Sequence, residues 1–194
     1  LKYCLNNHSD KNICFLPHSL DDGIDNWQPS FKKFGLKNNI KEVTLEEIYK
    51  LENLIFFSLE YADLISTQRF NSNELFNIHF SLLPKYKGMY TSAHPLLNGE
   101  KESGVTIHKI DDGIDTGDII CQIKFGIDLT DTAESLYKKY LHYSIKLFKE
   151  NADNLINKNY ISHPQNSSNS SYYSKKSIIY NNLIIDFKTT AFEI

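Results

Sequence analysis

Apolar positions fall into short unbroken runs in the first half of the chain and into a long periodic stretch in the second. "NICFL" (Asn12–Leu16) and "NLIFFSL" (Asn53–Leu59) are runs of the length that buried parallel strands adopt. Between them a polar, aromatic segment passes through "WQPSFKKFG" to "TLEEIYKLE", a predicted helix whose start is marked by the capping-box spacing of Thr44 and Glu47. A third strand is predicted at "LFNIHF" (Leu75–Phe80), after the polar "STQRFNSNE". "GVTIHKI" (Gly104–Ile110) and "GDIICQIKF" (Gly117–Phe125) read as two more, separated by an Asp/Gly-rich loop. After "DLTDT", Leu136, Tyr137, Tyr140, Leu141, Ser144, Leu147 and Phe148 recur at three- and four-residue steps, which predicts a long amphipathic helix. Strands that first alternate with helices and then run together predict an α/β class with a mostly parallel sheet. "HPQNSSNSSYYSKKS" has the composition of a linker. "IIYNNLIIDFKTTAFEI" then restarts apolar content and stops abruptly at Ile194.

Two motifs carry chemistry. In "FNIHFSLLPKYKG" (Phe76–Gly88), strand alternation sends Asn77 and His79 to one face and Ile78 to the other. The carboxyl end of a strand is the usual ligand edge of an open α/β sheet, so an amide and an imidazole there form a polar site. The bland alternative is a turn-capping Asn and a His bonded to a backbone carbonyl. "DDGIDTGD" (Asp111–Asp118) brings four carboxylates and two glycines into one loop. Alone it reads as a solvated turn or a calcium loop, but the regular ligand alternation and terminal glutamate of an EF-hand are missing. None of the seven His residues shows H-x-x-x-H spacing, so no metal is expected, and His108 reads as structural. Together, Asn77, His79 and a loop aspartate supply what acyl transfer to an amine requires. Attack creates an oxyanion, for which Asn77 and a protonated His79 are donors, and a carboxylate paired with the imidazole assists proton removal. No G-x-S-x-G elbow is present, which favours direct transfer over a covalent acyl-enzyme.

Composition narrows the partners. At 194 residues and 22.5 kDa, with 41% hydrophobic and 23% charged residues, the chain has room for one good core. A net charge of −3 and a pI near 6.2 give no electrostatic footprint for nucleic acid or an anionic membrane. There is no apolar run long enough to span a bilayer, and "LKYCLNNHSD" lacks the features of a secretory signal. Three widely spaced cysteines, Cys4, Cys14 and Cys121, read as reduced thiols of a cytoplasmic protein.

Asn-x-His followed by "SLLPKYKG", and then "NGEKESGVTIHKIDDGIDTGDII", resembles the folate-dependent formyltransferase superfamily, from about Asn53 to Tyr160. Both motifs, their order and the 36-residue gap from His79 to Asp115 carry the resemblance. It implies a Rossmann-like, mostly parallel sheet flanked by helices, with a short C-terminal extension. The expected organisation is a catalytic domain over 1–160 lacking its first strand, a linker over 161–177 and the start of a C-terminal region over 178–194. The implied reaction moves a formyl group from N10-formyltetrahydrofolate to a primary amine. Asn77 and His79 would stabilise the oxyanion, and Asp115 would orient His79 and help remove the proton. The folate pocket would be lined by Phe57, Ser58, Leu59 and Glu60, by Ser81, Leu82, Leu83 and Pro84, and by the backbone of Asp111, Asp112 and Ile114. "KYKGMYTSAHPLLNGE" and the Tyr-Tyr tail resemble the sugar-nucleotide branch, which places Tyr86, Tyr90 and His94 on the acceptor side. That branch implies dTDP-4-amino-4,6-dideoxyglucose or its 3-amino isomer as acceptor, for surface polysaccharide such as the O-antigen of lipopolysaccharide. The rival readings are methionyl-tRNA formylation, formyltetrahydrofolate deformylation and a non-catalytic folate- or nucleotide-binding remnant. A homodimer through the apolar stretch Ile178–Ile185 is a further expectation.

Overall fold

In the computed structural model, which describes residues 1–8, 11–61, 63, 65–179 and 188, short elements precede long ones. The order is α1 (Lys2–Asn7), β1 (Cys14–Phe15), α2 (Phe31–Lys37), β2 (Lys41–Glu42), α3 (Leu45–Ile48), β3 (Phe56–Leu59), β4 (Leu75–His79) and β5 (Lys87–Gly88). Then come α4 (His94–Leu97), β6 (Glu102–Lys109), β7 (Ile119–Gly126), α5 (Ala133–Ile156) and β8 (Tyr172–Tyr173). The local signals act as their chemistry dictates. The Thr44 hydroxyl accepts from the Glu47 N–H while the Glu47 carboxylate takes the Thr44 N–H, closing the capping box that starts α3. Thr132 and Ser135 do the same for α5.

The class is α/β, with a sheet flanked by helices. Four strands join in the order β3-β4-β6-β7, beside the two-stranded pairs β1-β2 and β5-β8. The four-stranded sheet is mixed: β3-β4 is parallel while β4-β6 and β6-β7 are antiparallel, and the separate pairs β1-β2 and β5-β8 are parallel. The 110–118 connection has no crossover helix, so β7 can return beside β6 only in the antiparallel sense.

Strand alternation gives the central sheet two different faces. On one, Phe76, Ile78, Val105, Ile107 and Phe125 meet Leu136, Tyr140, Leu147 and Leu155 of α5. On the other, Phe56 and Leu75 pack with Val43, Ile48, Tyr49 and Phe70. Asn77 and His79 share Leu75's side of β4, so the site lies at the end of this second face.

The segment 161–177, a linker by composition, is docked. His163 exchanges two backbone hydrogen bonds of 2.8 Å with Ile119, and β8 pairs in parallel with β5. Ser and Asn-rich sequence can do this because backbone groups and short polar side chains make contacts, joined by the ring of Tyr173, which stacks on Tyr86 and His94. The expected C-terminal region over 178–194, including the apolar stretch Ile178–Ile185, lies almost wholly outside the described residues. No helix among the described residues is long and apolar enough to cross a membrane.

Candidate active site

The antiparallel register of β4 and β6 sets Asn77 opposite His108 and His79 opposite Thr106. Cross-strand partners share a face, so two imidazoles and an amide gather at one sheet edge. The 110–118 loop then folds back to deliver a carboxylate. Asp111 Oδ1 accepts from the Gly113 N–H at 3.1 Å and the Thr116 hydroxyl at 2.7 Å, tightening the turn. A Cβ on Gly117 would sit 1.9 Å from the Lys109 carbonyl, so only glycine fits that crossing. Asp115 takes the left-handed backbone conformation, φ 55°, and aims its side chain inward.

Asp115 Oδ1 accepts from the Asn77 amide at 3.1 Å and lies 3.5 Å from both His79 Nδ1 and His108 Nε2. Its Oδ2 accepts the Gly88 N–H at 2.9 Å. His79 Nε2 is 2.8 Å from the Tyr86 carbonyl, and His108 Nδ1 is 2.7 Å from the Lys109 carbonyl. A carbonyl only accepts, so each of those nitrogens carries the hydrogen. His79 therefore presents Nδ1 to Asp115. His108 presents Nε2, a lone pair for the Asn77 amide at 3.2 Å. Both amide hydrogens of Asn77 are thereby placed, one on Asp115 and one on His108.

Burial pushes the buried His79 imidazole below its ordinary value, against the opposing pull of Asp115 and the Tyr86 bond, so at neutral pH the ring is neutral. Burial tends to raise the Asp115 carboxyl, yet His108, His79 and the Gly88 N–H outweigh it and hold the group at about 2. The Gly88 N–H and the Asn77 amide are neutral donors that also bond the carboxylate.

The other expected site residues divide. Ser58, in register with Asn77, is buried at the same edge. Phe57 turns the opposite way, with its ring 5.3 Å from Phe76 and 5.1 Å from Phe148 in the α5 core. Leu59, which alternation sends to Phe57's side of β3, and Ile114 of the 110–118 loop stand 45% and 48% exposed. Glu60 accepts the Tyr137 hydroxyl at 2.6 Å. The 81–84 turn is braced from below. The Ser81 hydroxyl donates to the Lys85 carbonyl, Leu83 N–H donates to the Thr106 hydroxyl at 3.2 Å, and Gln122 donates to the Leu83 carbonyl at 2.9 Å. Leu82 lies against Gly104, where a Cβ would meet its Cδ2 at 2.5 Å. The Pro84 carbonyl accepts the Ser171 N–H at 3.2 Å. Asp112 accepts from Thr67 and Gln68, tying the loop to the 67–69 turn.

Tyr86 and His94 both stack on Tyr173, at 5.6 Å and 3.7 Å between centroids. Burial and the Glu100 carboxylate push the Tyr86 phenol up to about 12, against the Asn98 amide that also bonds it. Tyr90 (φ 57°) reaches the Lys175 carbonyl at 3.2 Å. Sequence reasoning set His108 aside as structural, passed over Gln165 and Ser171, and used Tyr173 only as part of the Tyr-Tyr tail, with no role at the site. His108's place is fixed only by the β4-β6 register, and the other three act from a segment with linker composition. Among the described residues, no group of three or more His, Cys, Asp or Glu side chains is arranged to hold a metal ion.

Comparison with known proteins places this geometry. The family described as "Formyl transferase" matches residues 30–151. The chain is 33% identical over 172 residues to the methionyl-tRNA formyltransferase of Fervidobacterium nodosum, and 37% identical over 132 residues to that of Endomicrobium trichonymphae. These alignments cover 89% and 63% of this chain but 51% and 42% of the relatives, so the chain spans about half the length of the curated relatives it matches. Among solved structures, the sugar 3N-formyl transferase WlaRD, determined in the presence of dTDP and 5-N-formyl-THF, is 52% identical with a TM-score of 0.93. The N-formyltransferase of Helicobacter canadensis, in complex with folinic acid and dTDP-3-aminofucose, is 48% identical, also at 0.93. Each alignment takes in 99% of this chain, and 70% and 71% of the respective structures. With the family match running through Asn77, His79 and Asp115, this chain belongs to the formyl transferase family.

Proposed function

We propose that the protein transfers the formyl group of N10-formyltetrahydrofolate to the amine of a dTDP-linked 3-amino-deoxy sugar. The observation that carries the reaction is the Asn77–His79–Asp115 cluster, in which an amide donor at 3.1 Å and a neutral imidazole at 3.5 Å converge on one oxygen of an ionised carboxylate. The 3-amino acceptor is supported by the sugar 3N-formyl transferase at 52% identity and the dTDP-3-aminofucose complex at 48%. The 4-N formyltransferase of Francisella tularensis stands at 23% identity and speaks for the fold alone.

The site fits such a donor. Ile114, on the loop that carries Asp115, leaves an apolar side chain free to cover a flat heterocycle, beside polar groups that orient it. The donor supplies an activated formyl carbon. As the acceptor nitrogen bonds to that carbon, the carbonyl electron pair moves to oxygen, and Asn77 turns its amide hydrogens from Asp115 and His108 to hold the charge. His79 Nδ1, the ring nitrogen left without a hydrogen, takes the proton from the attacking nitrogen. The resulting imidazolium faces Asp115 Oδ1 and keeps its Nε2–H on the Tyr86 carbonyl. Collapse breaks the carbon–N10 bond, and the proton held by His79 goes to N10, so no proton is gained or lost overall.

The test is a turnover assay with N10-formyltetrahydrofolate that offers dTDP-3-amino-3,6-dideoxyhexose, its 4-amino isomer, initiator methionyl-tRNA or no amine. Formylated 3-amino sugar supports the proposal. Product only on tRNA would favour the activity named for the curated relatives, and formate without an amine would make the protein a hydrolase.

A further inference from the structure

The residues that hold the catalytic pair from outside all come from one strap, Ser162–Ser177. At its first end Gln165 Nε2 donates to two backbone carbonyls, Asp115 at 2.8 Å and Gly117 at 2.7 Å. One side-chain amide thus spends both hydrogens on either side of Thr116, while its Oε1 is buried without a partner. His163 and Ser162 extend the hold to Ile119 and Asp118. At the other end the Ser171 hydroxyl accepts the Tyr86 N–H at 2.8 Å, and the Ser171 carbonyl accepts the Lys87 N–H at 2.9 Å. The Tyr86 carbonyl is the one that takes His79 Nε2–H, and Gly88, paired with Tyr173, gives its N–H to Asp115. Each member of the His79–Asp115 pair is therefore gripped through a backbone that the strap itself fixes.

We infer that the 162–177 strap is a positioning element for catalysis, and that Gln165 is its positioning residue for Asp115. Asp115 sits at φ 55°, a conformation that costs a non-glycine residue free energy and persists only where its surroundings impose it. The Asn77 amide and the Gly88 N–H hold only the side chain of Asp115; Gln165 holds its backbone. Loss of the clamp lets the carboxylate drift from His79, and displacements of about 1 Å at a reacting group cost on the order of 10²-fold in rate.

The inference rests on the formyl-transfer reading, and two readouts separate their fates. In the turnover assay, Gln165→Ala and the isosteric Gln165→Glu are expected to lower kcat by about tenfold or more while both KM values stay within about twofold. In an Asp115→Asn background the same changes are expected to cost less than about twofold, since residues that act through one another are not additive. A kcat within about threefold of the parent, or an equal loss in both backgrounds, overturns the proposal. The second readout needs no activity: the His79 ring is titrated by NMR, where Asp115, His108, Lys87 and the Tyr86 carbonyl are the groups facing it. Asp115→Asn removes the charge that supports the imidazolium, so its midpoint falls, and Gln165→Ala is expected to move it the same way. An unmoved midpoint overturns the proposal even if the parent chain turns over no sugar, an outcome that by itself would sink only the formyl-transfer reading. Ser171→Ala, which releases the Tyr86 end, is expected to give the same kcat-only loss; it carries the test should the Gln165 variants not fold.

Discussion

His79 and Asp115 are tuned by opposite forces, and each leaves its own mark on rate and stability. His79→Ala removes the proton acceptor and is expected to lower kcat by about 10²–10⁴-fold. Asn77→Ala removes the oxyanion donor and should cost about 10²–10³-fold. A loss under about tenfold in His79→Ala would end that assignment. The pH dependence of stability follows from the same shifts. His79 is depressed in the fold, so the unfolded chain takes up the proton first, and stability falls as pH drops below about 6.5. Asp115 is also depressed, from 3.8 to about 2, so its contribution is complete above pH 4 and disappears as pH falls toward 2. The linkage relation makes that contribution about 2 kcal/mol. Urea unfolding from pH 7 to pH 3 checks both. His79→Gln is expected to flatten the upper window, and the deficit of Asp115→Asn is expected to narrow below pH 4. A deficit constant down to pH 3 would mean that Asp115 is not held ionised by its partners.

Among the elements, the β5-β8 pair has only two residues in each strand, and one of them is a glycine that its partner crowds. Gly88 has φ +85°, and a Cβ there would lie 2.3 Å from the Tyr173 carbonyl. Gly99 has φ +64°, but a Cβ there meets nothing within 4 Å. Gly99→Ala therefore measures the backbone cost alone, about 1 kcal/mol, whereas Gly88→Ala adds the clash and should exceed it by a further 1 kcal/mol or more. Equal losses in thermal unfolding would show that β8 does not bear on β5. This pair also marks where sequence reasoning stopped. The buried strands, the Thr44 capping box and the three- and four-residue steps from Leu136 to Phe148 were legible because each is written in neighbours along the chain. Asn77 and His79 were legible because alternation on a single strand places them together. His108 was not, because its partner is set by a register 31 residues away. Gln165 and Ser171 were not, because a run of serines and asparagines carries no period, and their hydrogen-bonding partners lie 48 to 87 residues upstream.

At the scale of the whole molecule, the site is assembled from segments that only the native fold brings together. Ser58 comes from β3, Asn77 and His79 from β4, His108 from β6, Asp115 from the following loop, and Gln165 from the strap. The unfolded chain offers a folate no such arrangement, so a ligand bound here draws its stabilisation from the native state alone. A formyl-folate that binds without transferring, such as 5-formyltetrahydrofolate, is then expected to stabilise the fold by about 2.7 kcal/mol at one hundred times its Kd. For a chain of this length each kcal/mol is worth about 2–4 °C, so Tm should rise by about 5–10 °C. The variants sharpen the result. His79→Ala keeps the apolar side chain of Ile114 and the braced 81–84 turn, so it should retain most of the shift while losing turnover. Ile114→Asp places a charge where the heterocycle would lie and should reduce the shift while leaving the ligand-free Tm near the parent's, because that side chain is half exposed. A parent chain whose Tm does not move with the ligand would place the donor elsewhere, whatever the geometry of Asn77, His79 and Asp115.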